Sequence, residues 1–281
     1  MGNILHHWHT ALAQQSPVAI VTALEGPQVG SKLLVTPEEH VGTMGNGDLD
    51  RAVIEAARGM LEGGRTGIRH YGPHGQRRME DVTVFIQSFA PPPRMYVFGA
   101  IDFASAVARI GKFMGYRVTV CDARPIFATR ERFPSADEIV VAWPDEFLST
   151  AAEVDARTVI CVLTHDPKFD VPVLKAALET PAGYIGAMGS RRTHNNRTAR
   201  LKEEGVSEEE LARISSPIGL DIGARTPEET AVAIAGEIIA LRTGHSGGRL
   251  SKRSGPIHAP ERGTTPSPDV RDTAAATQKP S

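Results

Sequence analysis

Cysteine, aromatic residues and long apolar runs are all scarce in this sequence of 281 residues. Its two cysteines, Cys121 and Cys161, are too few for a disulfide framework or a cysteine-rich zinc site, so a reducing cytoplasm is the expected location. The most apolar windows are short and carry a glutamate, which argues against a membrane span. With 5% aromatic residues and a formal net charge of -2, nucleic acid is not an expected partner.

Composition divides the chain into two segments that can fold and a tail. Three consecutive prolines at 91–93 form a stiff spacer between residues 1–90 and residues 94–248. Residues 249–281 contain five prolines and only three large apolar residues, so they cannot offset their ordering entropy. This composition predicts a disordered tail.

The two segments differ in the pattern of their predicted elements. Residues 1–90 predict a small α+β domain in which a helix with Asp48 as its N-cap is surrounded by the strands PVAIVTAL, SKLLVT and DVTVFIQSF. In residues 94–248, helical patterns separate most of the strands RMYVFGA, YRVTVCD, EIVVAW, TVICVLT, AGYIGAM and a weaker PIGLDIG. Parallel strands need crossover connections, so this alternation predicts an α/β, Rossmann-like, mainly parallel sheet with helices on both faces.

Gly99 begins a turn between the first strand and the first helix of the second segment. The turn has the position of a dinucleotide-binding turn, and Asp122 ends the next strand where a ribose-binding acid would lie. Ile101 places a branched side chain where the backbone would approach a pyrophosphate, and Asp102 adds negative charge at the helix N-terminus. A structural connection and a weaker NAD(P) site both stay open.

A second glycine-containing turn follows the fifth predicted strand and holds Gly186, Gly189, Ser190, Arg191 and Arg192. Backbone amides at a helix N-terminus, a hydroxyl and two guanidinium groups suit a phosphate or another oxyanion. The alternative is that Ser190 only caps the helix, while the arginines lie in solvent or pair with Glu203 and Glu204.

Three further polar residues lie near predicted strand ends. His165 and Asp166 follow the fourth strand, where they could orient a ligand or move a proton, although Asp166 could equally begin the next turn. Asp221 is the single acid of a glycine-rich segment whose backbone we expect to pass close to another group. No nucleophile accompanies these residues, so no catalytic residue is predicted. The histidine cluster at residues 6–9 has no partner Cys or acid at ligand spacing, so we expect a frayed terminus and no specific metal site, with adventitious metal binding as the alternative.

Three stretches of the second segment are distinctive: THDPKFDVPVLKAAL, YIGAMGSRRTHNNRTARLKEEG and PIGLDIGARTPEETAVAIAGEIIALRTG. Together they resemble the C-terminal domain of the XdhC/CoxI family, the accessory proteins of xanthine and carbon monoxide dehydrogenases. Residues 1–90 are similar to the family's N-terminal domain, but the sequence at 44–49 replaces its usual SGGCVE, and residues 1–120 contain no cysteine. The resemblance implies a Rossmann domain and a chaperone that binds molybdenum cofactor for sulfuration and insertion into a molybdenum hydroxylase.

The resemblance therefore implies a non-catalytic accessory protein with the cofactor as bound cargo at the strand ends. The residues that we expect at this site are Gly99, Asp122, Arg124, His165, Asp166, Gly186, Gly189, Ser190, Arg191, Arg192 and Asp221. The implied partner is a molybdenum hydroxylase subunit or another cofactor maturation protein, and a homodimer is compatible with this role. An NAD(P)-dependent oxidoreductase and a divergent paralogue that acts only by docking remain as alternatives.

Overall fold

A computed structural model describes residues 2–14, 16–76, 79–150, 152–252 and 254. The chain divides into two compact units, one ending at Pro91 and the other comprising Pro92–Lys252. Most of the predicted tail lies outside the described residues, and Leu250–Lys252 within it form a short 3-10 helix. None of the helices in the described ranges is long and apolar enough to cross a membrane.

The first unit is built around an antiparallel sheet of five strands. Its elements are α1 (Gly2–Ala13), β1 (Val18–Glu25), β2 (Lys32–Val35), β3 (His40–Gly42), α2 (Gly47–Glu62), β4 (Gly67–Tyr71) and β5 (Val82–Phe89). The strands lie in the order β3-β2-β1-β5-β4. The three predicted strands correspond to β1, β2 and β5, and the sequence patterns did not predict β3 and β4.

The N-terminal helix α1 contradicts the expectation of a frayed terminus around the histidine cluster. Ile4, Trp8 and Ala11 lie at helical spacing on one side of α1 and pack against Val18 and Phe89 of the sheet. The Trp8 and Phe89 rings meet edge to face, with their centroids 4.4 Å apart. This apolar contact stabilises the helix, because a short helix gains most of its stability from packing.

Helix α2 packs its apolar side on the sheet. The sequence predicted Asp48 as its N-cap, but the N-cap is Asn46. The Asn46 side-chain oxygen accepts hydrogen bonds from the backbone N–H groups of Asp48 (2.9 Å) and Leu49 (3.2 Å). Asp48 lies one residue into the helix, where a negative charge still interacts favourably with the helix dipole. Both residue types are good caps, so composition could not decide between them.

The second unit is a six-stranded sheet in which all strand pairs are parallel. Its elements are β6 (Arg94–Phe98), α3 (Asp102–Phe113), β7 (Arg117–Cys121), β8 (Glu138–Val140), α4 (Pro144–Thr150), β9 (Val159–Val162), α5 (Pro167–Leu178), β10 (Tyr184–Ala187), α6 (Arg191–Glu203), α7 (Glu208–Leu211), β11 (Ile214–Ser215) and α8 (Pro227–Thr243). The strand order is β11-β10-β9-β6-β7-β8. The prediction of a Rossmann-like parallel sheet is confirmed.

Helices cover both faces of this sheet. One core joins the strands to α3 and α8, and a second core joins them to α4, α5 and α6. The predicted strand PIGLDIG is wrong, because the sixth strand is β11 and the glycine-rich segment follows it as a loop. Gly219 (φ +97°) and Gly223 (φ +76°) adopt positive φ angles, which are incompatible with a continuous strand.

We expect Asn46→Ala to lower the free energy of unfolding by about 1 kcal/mol, because it removes the acceptor for two backbone N–H groups of α2. Asp48→Ala is the matched control and should cost less, since Asp48 contributes only a first-turn charge and an exposed pair with Arg51. Urea unfolding followed by circular dichroism compares the two. A larger loss in Asp48→Ala would contradict the assigned cap.

Candidate functional site

The strand order creates a crevice at the carboxyl edge of the parallel sheet. Strand β6 lies between β7 and β9, so the chain leaves β6 toward one side and later returns on the other. In such sheets, ligands bind at this switch point, outside the carboxyl ends of the strands. The turns that leave this edge after β6, β7, β9 and β10 contain most of the residues predicted from the sequence.

The Gly99 turn forms the floor of the crevice. Gly99 has a φ of +100°, and a Cβ atom there would lie 2.6 Å from the Thr164 Cγ2 atom and 2.9 Å from the Thr164 backbone nitrogen. The segments that leave β6 and β9 therefore touch, and only glycine allows this approach. Helix α3 then begins without a side-chain cap, since Ile101 occupies the N-cap position.

The Asp122 carboxylate is buried, and groups of this chain occupy both of its oxygens. It accepts hydrogen bonds from Ala100 N (2.7 Å), Arg124 N (2.9 Å), Arg124 Nε (2.9 Å) and Arg124 Nη2 (2.8 Å). Burial by itself would raise the pKa of Asp122, but the hydrogen bonds from Arg124 and Ala100 hold this pKa below its usual value. Asp122 thus ties the turn after β6 to the end of β7, an arrangement that favours a structural role over ribose binding.

A buried ion pair between Asp170 of α5 and Arg197 of α6 lies next to this floor. Arg197 Nη2 donates to Asp170 Oδ2 (2.6 Å) and to the Met188 carbonyl oxygen (2.8 Å), and the Thr164 hydroxyl donates to Asp170 Oδ1. Arg197 Nη1 also donates to Ser216 Oγ at 3.3 Å. Burial raises the pKa of Asp170, against the opposing effects of Thr164 and Arg197. The pair links the segments that follow β9, β10 and β11.

The sequence patterns did not single out Asp170 or Arg197, although a signal was present. Asp170 lies at helical spacing before the buried Val173 and Leu174, and Arg197 lies one turn before the buried Leu201. A charged residue on the apolar side of a helix is almost never fully buried without a partner. That pattern in two successive helices could have indicated an internal ion pair.

The second glycine-containing turn places two unpaired cations at the N-terminus of α6. Ser190 caps the helix, because its hydroxyl oxygen accepts from Thr193 N at 3.1 Å. Arg191 and Arg192 are exposed, and no acid within the described ranges forms an ion pair with them. Glu204, one of their two anticipated partners, instead pairs with Lys175 at 3.3 Å. Both guanidinium groups are therefore available to an anionic ligand.

The two glycines of this turn have packing roles. Gly186 is buried inside β10, where a Cβ atom would lie 2.5 Å from the Ile218 Cδ1 atom. A Cβ atom on Gly189 would lie 3.0 Å from the Thr193 side chain of the first turn of α6. These close approaches explain the glycines without a bound ligand.

The remaining predicted residues are exposed and only partly brought together. Asp166 is the N-cap of α5 and accepts from Lys168 N at 3.0 Å, so it does begin the next helix. His165 precedes it at the same edge and is exposed. Asp221 lies in the exposed loop after β11, and no hydrogen bond or ion pair within the described part of the chain connects it to the other residues.

A cluster of aromatic and basic residues, of which the sequence analysis indicated only Arg124, lies at the same edge. We name it the aromatic-cation surface, and it consists of Arg124, Phe127, Trp143, Lys168 and Phe169. The Trp143 and Phe169 ring centroids are 5.1 Å apart, and Lys168 Nζ lies 4.7 Å from the Trp143 centroid. The Arg124 guanidinium carbon lies 4.5 Å from the Phe127 centroid and 6.0 Å from that of Phe169. These residues come from three separate turns, so no local spacing connects them.

Neither cysteine is accessible for chemistry at this edge. Cys121 and Cys161 are buried free thiols, and burial raises the pKa of each to about 12. The thiolate is the reactive and metal-binding form, so both thiols are inert at neutral pH. Within the described residues, no group of three or more His, Cys, Asp or Glu side chains could hold a metal ion.

Two family models match this chain. The XdhC Rossmann domain matches residues 95–238, and the XdhC and CoxI family model matches residues 11–72. A crystal structure described as a xanthine dehydrogenase from Bacillus halodurans superposes with a TM-score of 0.59 at 23% identity, covering 83% of this chain and 64% of that one. At this identity the similarity establishes the fold alone.

Curated relatives are similar over large parts of the chain. The uncharacterized protein YqeB of Escherichia coli is 28% identical over 256 residues, 86% of this chain and 47% of YqeB. A Bacillus subtilis protein, named as a probable subunit of xanthine dehydrogenase, is 34% identical over 58% of this chain and 47% of its own length. The molybdenum cofactor insertion chaperone PaoD of Escherichia coli is 31% identical over 56% of this chain and 43% of PaoD. The chain thus spans less than half the length of these three relatives.

We expect Arg197→Met to lower the free energy of unfolding by about 3–5 kcal/mol, because it leaves the Asp170 carboxylate buried without its cation. Adding Asp170→Leu should restore most of this loss, since an apolar pair has no charge to desolvate. Chemical unfolding measures both variants, with Arg200→Met as an exposed control on the same helix. A small effect of Arg197→Met would contradict the importance assigned to the pair.

We also expect that a thiol-reactive disulfide reagent labels neither cysteine in the folded protein at mildly alkaline pH. The cause is burial, which excludes the reagent and raises both thiol pKa values to about 12. Release of the coloured thiolate is followed by absorbance, and the same protein in denaturant should show two reactive thiols. Rapid labelling without denaturant would disprove the assigned burial.

Proposed function

The chain belongs to the XdhC and CoxI family, and we propose that it is an accessory protein that binds molybdenum cofactor during the maturation of a molybdenum hydroxylase. The name of one relative, a molybdenum cofactor insertion chaperone, supports this role, as does the name of another, a probable component of xanthine dehydrogenase. In this proposal the cofactor is cargo, and the protein holds it without catalysing a reaction. The proposed partner is the molybdenum hydroxylase that receives the cargo.

The single observation that carries the proposal is the pair of unpaired arginines at the N-terminus of α6. Molybdenum cofactor is a pterin that carries a phosphate and a dithiolene-bound metal group, so one end of it is strongly anionic. Arg191 and Arg192 can donate charge-assisted hydrogen bonds to phosphate oxygens, and the free backbone amides at a helix N-terminus favour the same charge. We assign the phosphate to this turn.

The buried thiols support a role in holding the cargo without transferring sulfur. Cys121 and Cys161 cannot reach a ligand in the crevice, because both are enclosed within strands of the sheet. A molybdenum ion held here would therefore keep its own dithiolene ligands. Two free cysteines also suit a reducing compartment, and we place this role in the cytoplasm.

The NAD(P)-dependent alternative has less support. A ribose-binding acid must offer at least one free carboxylate oxygen, whereas both Asp122 oxygens already accept hydrogen bonds from Ala100 and Arg124. Asp102 also adds negative charge where a pyrophosphate would bind. A role limited to docking remains the alternative if no cofactor binds.

We expect that replacing both Arg191 and Arg192 with alanine weakens the binding of molybdenum cofactor at least tenfold. Each hydrogen bond between charged groups contributes about 1.5–3 kcal/mol, and tenfold in affinity corresponds to about 1.4 kcal/mol. Calorimetric titration of anaerobically prepared cofactor measures the change. NAD and NADP are titrated in parallel and should give no binding heat.

The matched control for this experiment is Arg200→Ala, which removes an exposed cation from the last turn of the same helix. It should leave the affinity unchanged, because Arg200 lies at the opposite end of α6. Equal affinity in the double variant and the unaltered protein would remove the basic turn from the proposal. Absence of binding in the unaltered protein would favour the docking role, and binding of nucleotide alone would favour the oxidoreductase.

A further inference from the structure

We infer that the aromatic-cation surface binds the pterin of the cargo, so that the flat part of this heterocycle stacks on Trp143 and Phe169. This inference rests on the proposed function and adds a second contact region to the same edge of the sheet. Of its five residues the sequence indicated only Arg124, and the grouping of the five depends on the tertiary contacts.

The location of the surface is the first argument. Trp143 immediately precedes α4, and Phe169 lies in the first turn of α5. Helices that follow parallel strands begin at the carboxyl edge, which is the edge where ligands bind. Arg124 comes from the turn after β7 and contacts both Phe127 and Phe169. Three turns therefore converge beside the crevice floor at Gly99.

The exposure of the aromatic side chains is the second argument. Large aromatic side chains are usually buried, but Trp143 is 38% exposed and Phe127 is 37% exposed. An indole that remains in water keeps much of its apolar area available for a ligand. The Trp143 and Phe169 ring centroids are 5.1 Å apart and the rings are tilted by 33°, so the two rings pack partly on each other and a ligand would stack on the ring surface that stays exposed.

The charges around these rings are the third argument. Within the described part of the chain, no acid forms an ion pair with Lys168, and its ammonium group lies over the Trp143 ring. The Arg124 charge is held in place by Asp122, which fixes the guanidinium plane beside Phe127 and Phe169. Flat heterocycles stack on aromatic rings and on guanidinium planes, and a nearby cation favours those that carry negative charge.

The test compares Trp143→Leu, Phe169→Leu and Lys168→Gln with the control Phe113→Leu. Phe113 is 87% exposed on α3, so its replacement also removes an exposed ring from this unit but not from the surface. Calorimetry with anaerobically prepared cofactor should show a loss of affinity of about 5- to 100-fold for Trp143→Leu and Phe169→Leu. Lys168→Gln should lower the affinity less, and Phe113→Leu should leave it unchanged. Thermal unfolding verifies that each variant is folded.

A second measurement avoids altering the surface. Trp8→Phe leaves Trp143 as the only tryptophan, and the Trp8 position lies in the other unit. In this background, saturation with cofactor or with neopterin phosphate should shift the Trp143 emission maximum to shorter wavelength, because stacking removes water from the indole. An unchanged maximum at saturation would overturn the inference even if a surface variant failed to fold.

The outcomes separate this inference from the proposed function. If the unaltered protein binds cofactor and the three surface variants bind it equally well, the assigned surface is wrong and the proposed function stands. If cofactor does not bind but neopterin phosphate binds and loses affinity in Trp143→Leu, the surface stands without the proposed function. If the variants keep full cofactor affinity but no longer retain a molybdenum hydroxylase in a pull-down, the surface is a protein interface and the inference is overturned.

Discussion

The buried ion pair between Asp170 and Arg197 is the contact on which the candidate site depends. It fixes the position of the Thr164 hydroxyl at the end of β9 and the Met188 carbonyl at the end of β10, and it joins α5 to α6. The net stabilisation by such a pair is small, because desolvation offsets most of the attraction. Its contribution is geometric, since the buried Asp170 carboxylate holds the Thr164 hydroxyl on one oxygen and the Arg197 guanidinium on the other.

The arginine and lysine side chains at this edge of the sheet fall into two groups, those that form ion pairs and those that do not. Arg197 and Arg124 are held by Asp170 and Asp122, and they define the shape of the crevice. Lys168, Arg191 and Arg192 have no ion-pair partner among the residues that the structure describes, so their charge is directed at solvent or at a ligand. The charge available for binding is therefore positive on an edge of a chain whose formal net charge is -2.

The same edge retains the dinucleotide-binding topology, but its backbone amides and its acid bind each other and not a nucleotide. In nucleotide-binding sheets, the turn after the first strand offers free backbone amides to a pyrophosphate, and the acid after the second strand offers oxygens to a ribose. Here the Asp122 carboxylate accepts a hydrogen bond from the backbone N–H of Ala100 in the turn after the first strand. Neither that N–H group nor that carboxylate oxygen is then free for a nucleotide. In our proposal, ligand binding therefore shifts to the neighbouring turns, where side chains with free donors and exposed rings are found. This change of use fits a family whose proposed cargo is an anionic pterin.

The sequence by itself determined the parallel sheet, the helices that cover it and the edge at which the glycine turns and Arg191 lie, because strand and helix periodicities and turn residues act over a few positions. The sequence did not determine Asn46 as the cap, because asparagine and aspartate are about equally good N-caps. It also did not distinguish strand from loop around Gly219, so the two-residue strand β11 was missed. Only the tertiary structure decided that Asp170 meets Arg197 and that Trp143 meets Phe169. These partners lie on different elements, and the packing of α4, α5 and α6 on one face of the sheet brings them together.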